Sequence, residues 1–153
     1  MKDVTKKNLD AMHSMDHLGT YPVKKSDLGF HGNLFGGQLL KWIDSSAAAY
    51  AMQLCDTPRM VTVSIEKCFF EKPAREGSLI KIYGKPSSLG TTSVTLYLEA
   101  RSHSVYTGQQ WVVLKTHIKF VQIDEEGNPI PIGEKGRKRL KEMIEENNQS
   151  INQ

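Results

Sequence analysis

Asp44 stands in a stretch that is otherwise apolar, with Leu40 and Trp42 before it and Ala47, Ala48 and Ala51 after it. Ionised carboxylates are rarely buried without a partner or a task. Desolvation makes a carboxylate a stronger base, so Asp44 is the candidate for a general base that activates water, or for a nucleophile that attacks a carbonyl directly. The stretch is entered through a glycine-rich segment, Phe30-His31-Gly32-Asn33-Leu34-Phe35-Gly36-Gly37. The first N–H groups of a helix lack internal partners and carry partial positive charge. Gly36 and Gly37 have no side chain to keep a substrate oxygen away from those groups. Asp44 follows Gly37 by seven residues, about 10 Å along a helix, which is far for one helix to bring both to a single carbonyl and so suggests a composite site. Two plainer roles compete with these: an ion pair of Asp44 with Lys41, and a left-handed turn position for Asn33.

The elements that must hold these residues follow from periodicity. A long helix is predicted over residues 37–55, with Gln38, Lys41 and Ser45 as a narrow polar stripe, stopped at Asp56-Thr57-Pro58. A short strand over 18–23 precedes it. Alternation marks strands at 61–65, 79–83 and 94–101, and a β-branched and aromatic run marks 109–123. Lys72 to Gly77, Lys85 to Gly90 and Asp124 to Pro129 read as turns. A charged helix over 134–147 has Leu140, Met143 and Ile144 as its apolar contacts. One helix followed by consecutive strands joined by short turns gives an α+β protein, an antiparallel sheet wrapped around one long helix.

The 153 residues fit one domain, expected as an arm over 1–17, a core unit over 18–132 and a helical tail over 133–153. A net charge of +3 and a pI near 8.8 suit a phosphate-bearing small ligand and argue weakly for nucleic acid. Cys55 and Cys68 form neither a metal spacing nor a disulfide framework. No signal-peptide core or membrane-length apolar run is present, so a cytoplasmic protein with no nucleic-acid or membrane partner and no metal is expected.

The chain resembles the hotdog-fold acyl-CoA thioesterases, in particular the bacterial and brain-type acyl-CoA hydrolases. The matching residues are Gly32 to Gly37 running into Leu40-Lys41-Trp42-Ile43-Asp44, then Val61 to Ser64, Phe69 to Pro73, Gly77, Gly90 to Val94 and Phe120 to Gly127. The resemblance implies a hotdog fold, a thioester substrate and assembly as a dimer, a trimer of dimers or a tetramer. It also implies that the asparagine loop of one subunit meets the aspartate of its partner, with Asn33 and Asp44 in those places. Gly36 and Gly37 would polarise the carbonyl. Coenzyme A enters only as part of substrate and product, with no other cofactor required. Its phosphates call for cations and backbone donors, for which Lys85, Ser87, Ser88, Gly90, Thr92 and Arg75 are candidates, with Lys67 and Lys72 nearby. The pantetheine arm would run along Val61, Thr62 and Val63. Phe35, Trp42, Tyr50 and Phe69, with Phe70, would line an acyl pocket unless packing alone accounts for them. Two other functions fit the pattern less well: a hotdog dehydratase acting on hydroxyacyl thioesters with His31 as base, and a non-enzymatic acyl-CoA-binding module.

Overall fold

The computed structural model describes residues 15–151. Strand β1 (Asp16–Pro22) leads through a 3-10 turn (Lys25–Asp27) to helix α1 (Gly36–Cys55). Strands β2 (Met60–Ile65), β3 (Phe69–Phe70), β4 (Leu79–Leu89), β5 (Ser93–His103) and β6 (Gln110–Gln122) follow, and helix α2 (Glu134–Ile151) closes the chain. The arm expected over 1–17 lies outside the described residues as far as residue 14, and Asp16 and His17 belong to β1, paired with Gly84 and Tyr83.

The sheet is antiparallel in the order β1-β4-β5-β6-β2, with β3 also on β6. Alternation decides its faces. Val94, Leu96, Leu98 and Ala100 of β5 are fully buried against Ile43, Ala47 and Ala51 of α1 in one core. The opposite face of β5 is less open than alternation suggests. Glu99 and Arg101 are both buried there, joined at 2.9 Å, with Tyr97 donating to Glu99 at 3.0 Å. Burial pushes the Tyr97 hydroxyl up, and the neighbouring Glu99 carboxylate adds to the shift.

The expected turn over Lys85 to Gly90 is corrected: β4 runs on through Leu89. Strand β1 pairs with β4 only as far as Gly84, so Pro86, which lacks an N–H, sits where β4 has no strand on that side. Helix α2 covers that edge, with Asn147 donating to the Pro86 carbonyl. A register shift between Pro86 and Ser88 absorbs the irregularity.

Helix α2 is bound to the body by its cations. Arg139 donates to the carbonyls of Gln53 and Leu54 at 3.2 and 2.8 Å and to the Asp56 carboxylate at 3.2 Å, capping the end of α1 where last-turn carbonyls are orphaned. Arg137 donates to the carbonyls of Gly90 and Thr91. Leu140 is fully buried. Arg139→Ala is expected to lower stability by about 1–2 kcal/mol, read as an earlier midpoint in chemical denaturation. Cys55, at this junction, has its thiol pushed up to about 11, chiefly by burial. At pH 8 an alkylating reagent should leave Cys55 unmodified until the protein is unfolded.

Candidate active site

Helix α1 begins without a side-chain cap. Its N-cap residue is Phe35, which has no acceptor to offer, and its first turn holds no acid. The N–H groups of Gln38 and Leu39 bond the Phe35 carbonyl at 3.0 and 3.1 Å. Those of Gly36 and Gly37 have no acceptor among the described residues. Both glycines lie close against phenyl rings. A Cβ on Gly37 would stand 2.6 Å from the Phe35 ring, and one on Gly36 would stand 3.2 Å from the Phe70 ring. The two phenyl rings therefore flank a pair of unused donors at the positive end of a twenty-residue helix.

The loop before the helix is tied down at both sides. Leu34 N–H bonds the Ala74 carbonyl at 2.8 Å and Phe35 N–H bonds the Asp27 carbonyl at 2.9 Å. Gly32 takes the positive φ of this loop, at 80°. Asp56 is the only non-glycine with positive φ among the described residues, so Asn33 is not the left-handed residue that a plain turn role would make it. Its side chain is half-buried and has no hydrogen-bond partner among the described residues, while its carbonyl accepts from Gly29 at 2.7 Å. His31 is exposed at the loop tip, edge-on to the fully exposed Phe30.

Asp44 lies two turns along α1, beside edge strand β2. Thr62 Oγ1 donates to its Oδ1 at 2.8 Å. Thr62 pairs with Phe120, a core residue, so its side chain points to the helix side of the sheet. A register shift follows at once, between Thr62 and Ser64, and bulges of this kind re-aim side chains at sheet edges. Asp44 makes no ion pair with Lys41, the plainer role the spacing allowed. It is half-buried within one chain rather than enclosed. The reason is its neighbour: every residue of β2 beyond Met60 is exposed, Val63 by 52%. An apolar strand with an unpaired edge is a template on which another chain can pair.

The remaining candidates fall in separate places. Trp42 is buried and stacked on Tyr21 at 4.9 Å. Tyr50 is buried and donates to Asp16. Both therefore pack the core toward β1. Phe69 pairs with Lys115 and lies on the far face of the sheet beside Tyr97 and His117, whereas Phe70, one residue on, turns in over Gly36. Val61 and Val63 are exposed along β2. Lys85, Ser87 and Ser88 are strand residues of β4, Lys85 lying over the Tyr97 ring, and only Gly90 and Thr92 belong to the turn that follows. Arg75 lines a cleft of about 460 Å³ with Lys72, Ser104, Tyr106 and Trp111, where the Lys72 ammonium stands 4.7 Å over the Trp111 ring. Asp27 and Gln38, which bond each other at the helix start, were not singled out by their sequence context: a lone Asp in a polar loop carries no signal. Among the described residues no group of three His, Cys, Asp or Glu side chains could hold a metal, and no helix is long and apolar enough to cross a membrane.

The chain is similar to known proteins. A family model of the thioesterase superfamily matches residues 31–108. The acyl-CoA thioester hydrolase YciA of Escherichia coli K12 is 31% identical over 107 residues, 68% of this chain and 80% of that protein. The uncharacterized acyl-CoA thioester hydrolase YkhA of Bacillus subtilis 168 is 27% identical over 106 residues, and the chain spans 61% of its length. Among solved structures, Cj0915, a hexameric hotdog fold thioesterase of Campylobacter jejuni, superposes with a TM-score of 0.71 at 27% identity over 80% of this chain and 94% of that one. With this family match, a relative at 31% identity and an antiparallel sheet around one long helix, the chain belongs to the thioesterase superfamily and has its hotdog fold.

Proposed function

We propose that the protein hydrolyses acyl-CoA thioesters to free acid and coenzyme A, as a homo-oligomer built on a dimer. The observation that carries this is the pair of unbonded N–H groups on Gly36 and Gly37, walled by Phe35 and Phe70. A thioester carbonyl placed there develops negative charge on attack, and preorganised donors at a helix start stabilise that charge. Asp44 supplies the base or the nucleophile. In the first route it takes a proton from water as the water attacks the carbonyl carbon, and the tetrahedral intermediate then collapses with cleavage of the C–S bond, the departing CoA thiolate taking up the proton. In the second its oxygen attacks the carbon, the C–S bond breaks to release the CoA thiolate, and water hydrolyses the resulting anhydride. The Thr62 hydroxyl fixes the carboxylate in either route.

The spacing of the two halves supports a shared site. Glycine turn and carboxylate lie about two turns apart on one helix, and the strand beside Asp44 pairs with β6 on one side and has a free edge on the other. Pairing of β2 with its copy in a second protomer would cover Val61 and Val63, enclose Asp44, and bring the neighbouring Asn33 loop to it. YciA and YkhA are named acyl-CoA thioester hydrolases and Cj0915 is described as hexameric, in keeping with acyl-CoA as substrate and with a dimer that assembles further. Coenzyme A would lie along β2, its phosphates near Arg75 and Lys72 or near Gly90 and Thr92. Residues 18–132 would carry the chemistry, with the tail 133–153 as its brace, and a cytoplasmic setting fits the substrate.

Three outcomes test this. A panel of acyl-CoAs should release free thiol, and Asp44→Ala should lower that rate at least ~100-fold with the fold intact. Near-normal turnover in a folded Asp44→Ala protein would remove Asp44 from its role. Gly37→Ala should leave stability unchanged or raised, since alanine favours a helix by about 1 kcal/mol, yet should cut turnover, because the methyl drives Phe35 across the donors. Finally, Asn33→Ala and Asp44→Ala chains, unfolded and refolded together, should regain about a quarter of wild-type activity if each site draws one residue from each chain of a two-fold dimer. No recovery would place the site within one protomer.

A further inference from the structure

A helix that leaves its first N–H groups bare gives up the usual means of fixing its start. A Ser, Asp or Asn N-cap would lend its oxygen to the second or third N–H, which here would occupy the donors on Gly37 or Gln38. Two successive glycines add backbone freedom at the same point. Something else must set the direction of this turn, and the buried acid beside it is placed to do so.

Asp27 is 6% exposed at the end of the 3-10 turn. Its Oδ2 accepts the Lys24 N–H at 2.9 Å, and its Oδ1 accepts Gln38 Nε2 at 3.2 Å. Its carbonyl accepts the Phe35 N–H at 2.9 Å. Phe35 and Gln38 are the residues on either side of Gly36 and Gly37. One buried residue thus grips both ends of the glycine pair, by main chain on one side and side chain on the other, and occupies neither glycine N–H. A buried carboxylate is tolerated only when its oxygens are bonded, and the bonds to Lys24 and Gln38 meet that need.

We propose that Asp27 is a positioning residue of the hydrolase: through Gln38 and Phe35 it aims the Gly36 and Gly37 N–H groups at the thioester carbonyl. The inference rests on the thioesterase reading, so its test carries a readout that does not. A donor pair misplaced by about 1 Å costs on the order of 100-fold in rate, and the loss falls on kcat because the misplaced bonds form chiefly as charge develops.

The variants are Asp27→Ala, Asp27→Asn and Gln38→Leu, each measured for kcat, KM, melting temperature and the backbone amide resonances of Gly36 and Gly37. Asp27→Ala and Gln38→Leu should each lower kcat about 10- to 100-fold with KM within about 3-fold. The double variant should be no worse than either single one. Asp27→Asn should recover most of the rate, since the asparagine oxygen can take the place of Oδ2 and accept the Lys24 N–H while the Gln38 amide turns over to accept from the new Nδ2. The two glycine resonances should move in Asp27→Ala and Gln38→Leu and return in Asp27→Asn. A Gln38→Leu protein with wild-type kcat and unmoved glycine resonances overturns the proposal, and it decides the matter should Asp27→Ala fail to fold. A wild-type protein that releases no thiol from any acyl-CoA overturns the hydrolase reading instead, and the glycine resonances then judge the positioning role alone.

Discussion

Two backbone N–H groups with no acceptor among the described residues are the constraint from which the rest of this structure can be understood. An unbonded donor pair is costly unless water or a ligand meets it. The fold keeps these donors at the protein surface with no acceptor close by: a phenylalanine at the cap, no acid in the first turn, and glycines whose place a side chain could take only by displacing or crowding the Phe35 or Phe70 ring. The stiffness that a cap would have given comes from elsewhere. Asp27 and Ala74 hold the loop, Ile43, Ala47 and Ala51 bury one face of the helix, and Arg139 closes its far end.

The carboxylate obeys a related logic. Among the described residues Asp44 is neither paired with a cation nor shut away from water; it accepts a hydrogen bond from Thr62 on a strand whose outer edge is open. A half-covered acid beside exposed valines is an unfinished environment. Covering it by a second copy of β2 would lower the local dielectric and strengthen the field of the helix start. In the proposed dimer the chemistry and the assembly would be one problem, because the surface that would complete the sheet would also complete the site.

Much of this was legible in the sequence. The apolar period marked the long helix to within a residue of its observed ends, and alternation marked β5 and its buried face, since both are backbone repeats imposed by a core. Asp44 stood out because a charge in such a pattern is rare. What was hidden depends on contacts across the fold. Lys85 to Gly90 has turn composition, yet it continues β4 because Pro86 falls where β1 has ended and α2 takes over. Phe69 and Phe70 are alike in sequence, and only the pairing of β3 on β6 sends the second toward Gly36 and the first to the other face. Glu99 and Arg101 sit at positions that alternation gives to solvent, and their mutual bond is what lets them be buried. Arg137 and Arg139 resemble ordinary charges of a solvated helix until their carbonyl partners are seen.

The most direct measurement is a crystal structure of the oligomer with a non-hydrolysable acyl-CoA analogue in which a methylene replaces the thioester sulfur. The account predicts the analogue's carbonyl oxygen about 3 Å from the Gly36 or Gly37 nitrogen, with the Asp44 carboxylate of the neighbouring protomer beside the carbonyl carbon. A carbonyl held by other donors, with the glycine turn facing only water, would contradict it.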